Sequence, residues 1–503
     1  MPIAAYSSLT CQKLVLWVLS IAIYRACFHP LAKIPGPKLY AITDLPYLYH
    51  VSRGTWVRKL QEIHEKYGQM VRFGPEDVSF TTADSWKTIY GHKTSQNKTF
   101  HKDLRAYRET ISGHSHIIIA PHEDHKRMRR LISHAFSEKA LRGQESIMKK
   151  YVDLLISKTH ENAKSGKTID IVAWYNFTTF DLIGDLAFGE PFGCLEAGGY
   201  HPWVSMIFDV LRIASLGQVV RRYPFLAPLR SLIIPKWVRE KAKEHYQLTQ
   251  QTALKRIELG NTDREDFMSY ILRHNDEKGL TKGELVENAS LLIIAGSETT
   301  ATQLSGTTYH LLTNPSIYKK LTEEIRSTFE SEDEITLTRV NDLQYIHAVF
   351  EEGFRMCLPR ITPPEGEFIE GYWIPGKVGE SSNMLEEEAN ANFAKQTSVS
   401  VSQYSSYHNE RNFRDAEKFV PERWLGDPKY KSDSRGVLNP FSYGPNNCIG
   451  KNLAYAEMRL ILARLLWSFD LEMLPDSKNW DQQKTFLLWD KGPIQVKVTA
   501  IQR

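Results

Sequence analysis

Ten residues near the C-terminus, Phe441-Ser-Tyr-Gly-Pro-Asn-Asn-Cys-Ile-Gly450, gather the chemistry that stands out first in this chain. Gly444, Pro445 and Gly450 specify a tight, irregular loop. An amphipathic run from Ile449 to about Trp467 follows it and predicts a helix. Cys448 therefore stands at a helix N-terminus, where the dipole and unpaired N–H groups favour a thiolate. That is the environment an axial sulfur ligand to iron requires, and such a thiolate pushes electron density onto the metal and favours O–O cleavage. Taken alone, Cys448 would read as a small buried hydrophobe.

It is not alone. Glu352-Gly-Phe-Arg355 has i, i+3 spacing, which puts acid and base on one helix face. Pro421-Glu-Arg-Trp424 supplies a second arginine, Arg423. In isolation each of these reads as a surface ion pair of little worth. A third segment, Ala295-Gly-Ser-Glu-Thr-Thr300, lies in the middle of the longest helix candidate. That helix opens on Thr281-Lys-Gly-Glu284, which has capping-box spacing, and stops before Asn314-Pro315. At roughly 1.5 Å per residue it spans about 45 Å, enough to cross a whole domain. Glycine and hydroxyl residues are poor choices for its centre. A mid-helix Thr can bond the carbonyl four residues back and loosen the ladder. Glu298 beside the hydroxyl of Thr299, near an apolar pocket, makes a plausible proton path.

The elements that must position these residues are mostly helical. Apolar positions recur at three- and four-residue spacing, as in the stretch His122 to Ala140, where Lys126, Arg127, Arg129 and Arg130 cluster. Strand-like pieces are few: Met70 to Phe73, Val78 to Thr81 and Ser398 to Gln403. No linker-like stretch divides the 503 residues, so one large domain is expected. Near the N-terminus, the apolar run Leu9 to Phe28 approaches the roughly 20 residues that span a bilayer. No small-residue cleavage site follows, which favours a retained anchor over residues 1–30 rather than a signal peptide. Pro35 and Pro37 in Lys33-Ile-Pro-Gly-Pro-Lys38 then make a stiff joint to a soluble body, residues 31–503. The net charge of +4 is small for this length and its basic residues are dispersed, which does not suggest nucleic acid. Five widely spaced cysteines form no disulfide framework, and a reducing compartment fits best.

The Cys448 loop, the Glu352/Arg355 pair, the Arg423 segment and the Ala295–Thr300 stretch occur in the order seen in the cytochrome P-450 family, which the whole chain resembles. The anchor and proline joint are similar to those of its microsomal members. Ser398-Val-Ser-Val-Ser-Gln403 and Lys451-Asn-Leu-Ala-Tyr-Ala-Glu457 resemble fungal members that serve secondary metabolism. The resemblance implies a mainly α fold with a small β-rich portion, the cytochrome P-450 fold, holding haem b. It makes Cys448 the axial ligand, with Phe441 packed near the sulfur. Glu352, Arg355 and Arg423 become a buried structural triad behind the haem. Glu298 and Thr299 fall in the distal pocket as a proton relay to dioxygen, and Gly296 lets the haem plane approach the helix. His125 and Arg129 match a pair that donates to a haem propionate, with His where the family usually has Trp, and Arg360 matches another propionate-binding arginine.

Two departures stand out. Asn446 occupies a position where relatives usually carry a basic residue on a propionate, so a charge-assisted bond gives way to a weaker one. After Arg355, several residues that relatives place before the next strand are missing. Residues 378–396 then read as an extra segment, acidic around Glu386-Glu-Glu388. Its ends can be coded as GT and AG, so it is either a retained intron or a genuine surface-loop insertion, which large domains tolerate.

The implied activity is insertion of one oxygen atom from dioxygen into an apolar small molecule. The implied setting is the endoplasmic reticulum membrane, with the catalytic body in the cytosol and electrons from an NADPH-dependent reductase. The rival readings are a haem-thiolate isomerase or dehydratase, which needs no reductase and no proton relay, and an inactive membrane-bound haem protein.

Overall fold

The capping box at Thr281 closes as its spacing predicts. A computed structural model of the chain describes residues 2–92, 101–103, 110, 112–206, 217–229, 234–260, 262–275, 279–357, 367–369 and 397–502. In it Thr281 Oγ1 accepts from the Glu284 amide at 3.2 Å, and the Glu284 carboxylate accepts from the Thr281 amide at 2.8 Å. The helix so started runs Lys282–Thr313 and ends at Asn314, where Pro315 opens the next helix. Helices Ile171–Phe188, Gln344–Met356 and Lys451–Ser468 pack against it. Ile183, Leu186, Ile293, Leu304, Val349 and Leu460 lie in the largest core cluster, which these helices enclose.

The tightest seam is between Lys282–Thr313 and Ile171–Phe188. A Cβ added at Gly296 would sit 2.5 Å from Ile183 Cδ1, so the absent side chain lets the two helices mesh.

The His122 to Ala140 stretch breaks into pieces. The first helix is His122–Ile132, a 3-10 turn spans Ser133–Phe136, and a second helix runs Glu138–Lys164. Ser137 causes the break: its hydroxyl accepts from the Ala140 amide at 3.2 Å and caps the new helix.

The β portion is small. Strands Met70–Arg72 and Asp77–Phe80 form an antiparallel pair, and Asp77–Phe80 runs parallel to Thr397–Val401. Glu367–Ile369 and His101–Lys102 complete this five-stranded sheet. A three-stranded sheet of Ile169–Asp170, Gln495–Ala500 and Phe469–Met473 covers one end of the core. A two-stranded hairpin, Lys484–Thr485 with Trp489–Asp490, stands apart from both.

The N-terminal helix Pro2–Ile23 continues through a π turn, Tyr24–Phe28. Residues Thr10–Phe28 are long and apolar enough to cross a bilayer, and none is buried against the body. The joint below is clasped by Arg72, which is buried and donates to the carbonyls of Arg25 at 2.9 Å, Pro75 at 2.7 Å and Gly74 at 3.2 Å. Arg25 in turn donates to the Ile42 carbonyl at 2.8 Å. Arg360 and residues 378–396 lie outside the described residues.

Candidate active site

Cys448 is presented by a loop that closes on itself. The Cys448 amide donates to the Phe441 carbonyl at 2.8 Å, and the Asn447 amide to the Gly444 carbonyl at 3.1 Å. Ser442 and Gly444 both adopt positive φ, 62° and 71°. At Gly444 a Cβ would overlap the Tyr90 carbonyl, so only glycine lets the loop lie on that helix end. Phe441 packs edge-on against Phe354 at 5.0 Å and against Tyr455 at 5.2 Å, which ties the loop to Gln344–Met356 and Lys451–Ser468. Gly450 caps the latter helix, leaving Cys448 at its N-terminal approach and exposed. Asn446 is exposed on the same loop.

Arg129 reaches this loop from helix His122–Ile132. Its guanidinium donates to the Asn447 carbonyl at 2.6 Å and to the Asn447 side-chain oxygen. Burial pulls the Arg129 pKa down, while the Cys448 sulfur pulls it up. His125, one turn earlier, is buried and held down at about 4, first by burial and then by Lys102, Arg129 and His122. Lys102 points its Nζ at the carbonyls of Ile118, 2.5 Å, and Ala120, 3.2 Å. Lys102, His125 and Arg129 thus make a basic wall beside the cysteine, suited to the carboxylates of a prosthetic group.

Behind the loop, Glu352, Arg355 and Arg423 are fully buried. Arg355 donates to both Glu352 oxygens, at 3.0 and 2.8 Å, and Arg423 Nε to Oε1 at 3.1 Å. The Val420 amide and Trp424 Nε1 add bonds of 2.8 and 2.9 Å. The remaining guanidinium nitrogens bond the carbonyls of Tyr407, Ala416 and Lys418 and the Asp433 carboxylate. Burial pushes the Glu352 carboxyl up, yet the two arginines outweigh it and hold the group below the usual carboxylate range.

On the long helix, Ala295 and Thr299 share a face one turn apart, and Thr299 Oγ1 donates to the Ala295 carbonyl at 2.6 Å. Glu298 faces elsewhere. Its carboxylate is buried and paired with Lys491, and Thr302 Oγ1 donates to it at 3.3 Å. Gly296 also turns from the expected direction, since its vacant Cβ position points at Ile183 in the helix seam. Sequence reasoning names neither Asn447, Lys102 nor Lys491. It also omits Glu457, which is fully buried on Lys451–Ser468 beside Thr300. Burial pushes that carboxyl up to about 8, against the Thr300 hydroxyl. Its i+9 spacing from Cys448 is a readable signal; the other three are isolated polar residues in unremarkable contexts.

A cysteine held at a helix N-terminus beside a basic wall, backed by a buried carboxylate–arginine network, defines a haem-thiolate site. A family model described as Cytochrome P450 matches residues 35–365 and 383–498. The chain is 41% identical over 497 residues to cytochrome P450 monooxygenase aclL of Aspergillus oryzae, covering 97% of each. It is 43% identical over 483 residues to cytochrome P450 monooxygenase astA of Talaromyces wortmannii, covering 95% of this chain and 93% of that one. With cytochrome P450 monooxygenase lcsI of Purpureocillium lilacinum the identity is 41% over 492 to 497 residues' worth of chain, 96% of this one and 92% of the other. The chain belongs to the cytochrome P450 family, and it is a monooxygenase rather than the isomerase or dehydratase of the rival reading.

Proposed function

We propose that this chain is an anchored monooxygenase of the endoplasmic reticulum membrane, with its catalytic body in the cytosol. It would take electrons from an NADPH-dependent reductase and insert one oxygen atom of dioxygen into an apolar small molecule of fungal secondary metabolism. The observation that carries this reading is the rigid presentation of Cys448 beside Lys102, His125 and Arg129. Haem b, when bound, supplies dioxygen activation and oxygen-atom transfer.

The residues supply the setting. Cys448 Sγ would be the axial ligand, its thiolate favoured by the approach to helix Lys451–Ser468. Arg129, His125 and Lys102 would hold the propionates, so the neutral Asn446 need not carry that charge alone. Arg360 is assigned the same task. Phe441 fixes the loop, and through its carbonyl the Cys448 amide. Thr299 would pass protons inward once its hydroxyl leaves the Ala295 carbonyl, with Glu298 as the adjacent acid. The exposed, apolar Thr10–Phe28 helix supports the anchor.

The test is expression in membranes with a reductase. A carbon monoxide difference spectrum of thiolate type, NADPH-dependent turnover and label from isotopic dioxygen in the product are the expected results. A spectrum without the thiolate signature, or turnover with no reductase, would sink the reading.

A further inference from the structure

A buried carboxylate in the middle of a helix costs free energy unless a cation or several donors satisfy it. Glu298 is satisfied on one oxygen only. The Lys491 ammonium is paired with Oε1 and donates to Thr302 Oγ1 at 2.5 Å, and Thr302 Oγ1 lies 3.3 Å from the same oxygen. Oε2 is buried and accepts no hydrogen bond. The side chains of Glu298 and Lys491 are 2% and 4% exposed, so water does not screen the pair.

Helical geometry fixes what this pairing does. Thr302 is one turn beyond Glu298 and lies on its face, whereas Thr299 is about 100° further round. Lys491 therefore holds the carboxylate on the Thr302 side and away from Thr299. The lysine comes from a part of the chain that is loosely held. It follows the hairpin Lys484–Thr485/Trp489–Asp490, which bonds through the Thr485 amide to the Gly54 carbonyl at 2.8 Å. A two-stranded hairpin is marginal by itself. Beyond Gly492-Pro493 the chain is fixed again, where the Ile494 amide meets Asp170 at 3.1 Å. Any shift of the hairpin carries Lys491 with it.

We propose that Lys491 is a positioning residue for proton delivery, a clamp on the C-terminal hairpin that withholds Glu298 from Thr299 until the hairpin moves. The inference rests on the reading above in which Thr299 passes protons. While clamped, Glu298 is an ion-paired carboxylate and a poor proton donor. Unclamped, it is a buried carboxylate without a cation; it takes up a proton and can turn toward Thr299. Among the described residues, Tyr200 is the other ionisable group in its field; its hydroxyl accepts from Asn176 Nδ2 at 2.9 Å. A substrate that presses on the hairpin would thereby start proton delivery only when the pocket is filled.

The test compares wild type, Lys491→Met, Lys491→Arg and the double variant Glu298→Gln/Lys491→Met. In the haem-free chain at neutral pH, infrared spectroscopy should show a protonated-carboxyl band in Lys491→Met that is absent from wild type, Lys491→Arg and the double variant. In the loaded enzyme, product formed per NADPH should acquire in Lys491→Met a neutral-to-alkaline limb in its pH profile that the double variant lacks. Lys491→Arg should keep the wild-type profile. No new band, or a new band with an unchanged profile, overturns the clamp. If Lys491→Met does not fold, Lys491→Gln replaces it, with the same outcomes deciding. Thr299→Ala with unchanged coupling would instead overturn the Thr299 reading, whatever the Lys491 variants do.

Discussion

On the sulfur side of the site, Glu352 takes bonds from Arg355, Arg423, Trp424 and the Val420 amide, and both its oxygens are used. On the long-helix side, Glu298 engages Lys491 and Thr302 through one oxygen and leaves the other with none. The two carboxylates are equally buried, so the contrast lies in their partners rather than their solvation. A network with every donor and acceptor used has one arrangement. A carboxylate with a spare oxygen has somewhere to go. The cysteine must stay in one place through every cycle, whereas a proton donor must alternate between states, and each side is built accordingly.

The sharpest break in the comparison is Cys448→Ser, which should eliminate the thiolate-type carbon monoxide spectrum. The same change at Cys11, Cys27, Cys194 or Cys357 should leave it, and the spectrum of each purified variant checks this. Arg355→Leu strands Glu352 as a charge with one arginine fewer, a loss on the order of 3–5 kcal/mol. It should yield little soluble protein, and fractionation after expression measures that.

Glu457 offers a third case, a buried carboxyl with no cation at all. Its folded-state pKa, about 8, lies above the unfolded value of 4.5. The stability it contributes is therefore complete below about pH 4.5 and is lost as pH rises through about 8. Glu457→Gln should remove that dependence and gain on the order of 3 kcal/mol above pH 8, read from denaturant unfolding at several pH values. Thr299→Ala should leave haem binding intact and divert reducing equivalents to peroxide, lowering product per NADPH several-fold.

The smallest effect belongs to the basic surface. Lys126, Arg130 and Lys451 are exposed, and reversing their charge should slow reduction a few-fold at low ionic strength and less in high salt. Stopped-flow reduction across a salt series measures it. Arg127, from the same cluster, is tied to Glu284 and Asp124. Its reversal should cost folded protein instead.

What the sequence makes legible follows this same division. The cysteine loop, the Glu352–Arg355 spacing and the Thr281 capping box are local patterns, and each keeps its reading in three dimensions. The three strands around Met70, Val78 and Ser398 fall within a residue or two of their predicted places. The C-terminal strands escape, although Phe469-Asp-Leu-Glu-Met473 alternates and is buried on alternate residues at its start. Lys491 escapes for a better reason. It lies 193 residues from Glu298, and nothing near it announces that an isolated lysine will be buried. Gly296 has a signal, but the residue cannot say which neighbour needs the space. Burial of Asn176 and Asn288 also bars the sequon reading at both, which composition alone had only made unattractive.

The clasp around Arg72 bears on where the stalk can be cut. Arg72 is 1% exposed and counts the Arg25 carbonyl among its acceptors. Severing the chain at the proline joint, where composition changes, deletes that acceptor together with the Arg25 side chain that holds the Ile42 carbonyl. A chain beginning just ahead of Tyr24 sheds most of the apolar helix and keeps both bonds. The last turn before the body, greasy as it looks, is thus a component of the globule, and a shortened soluble form should be drawn to include it.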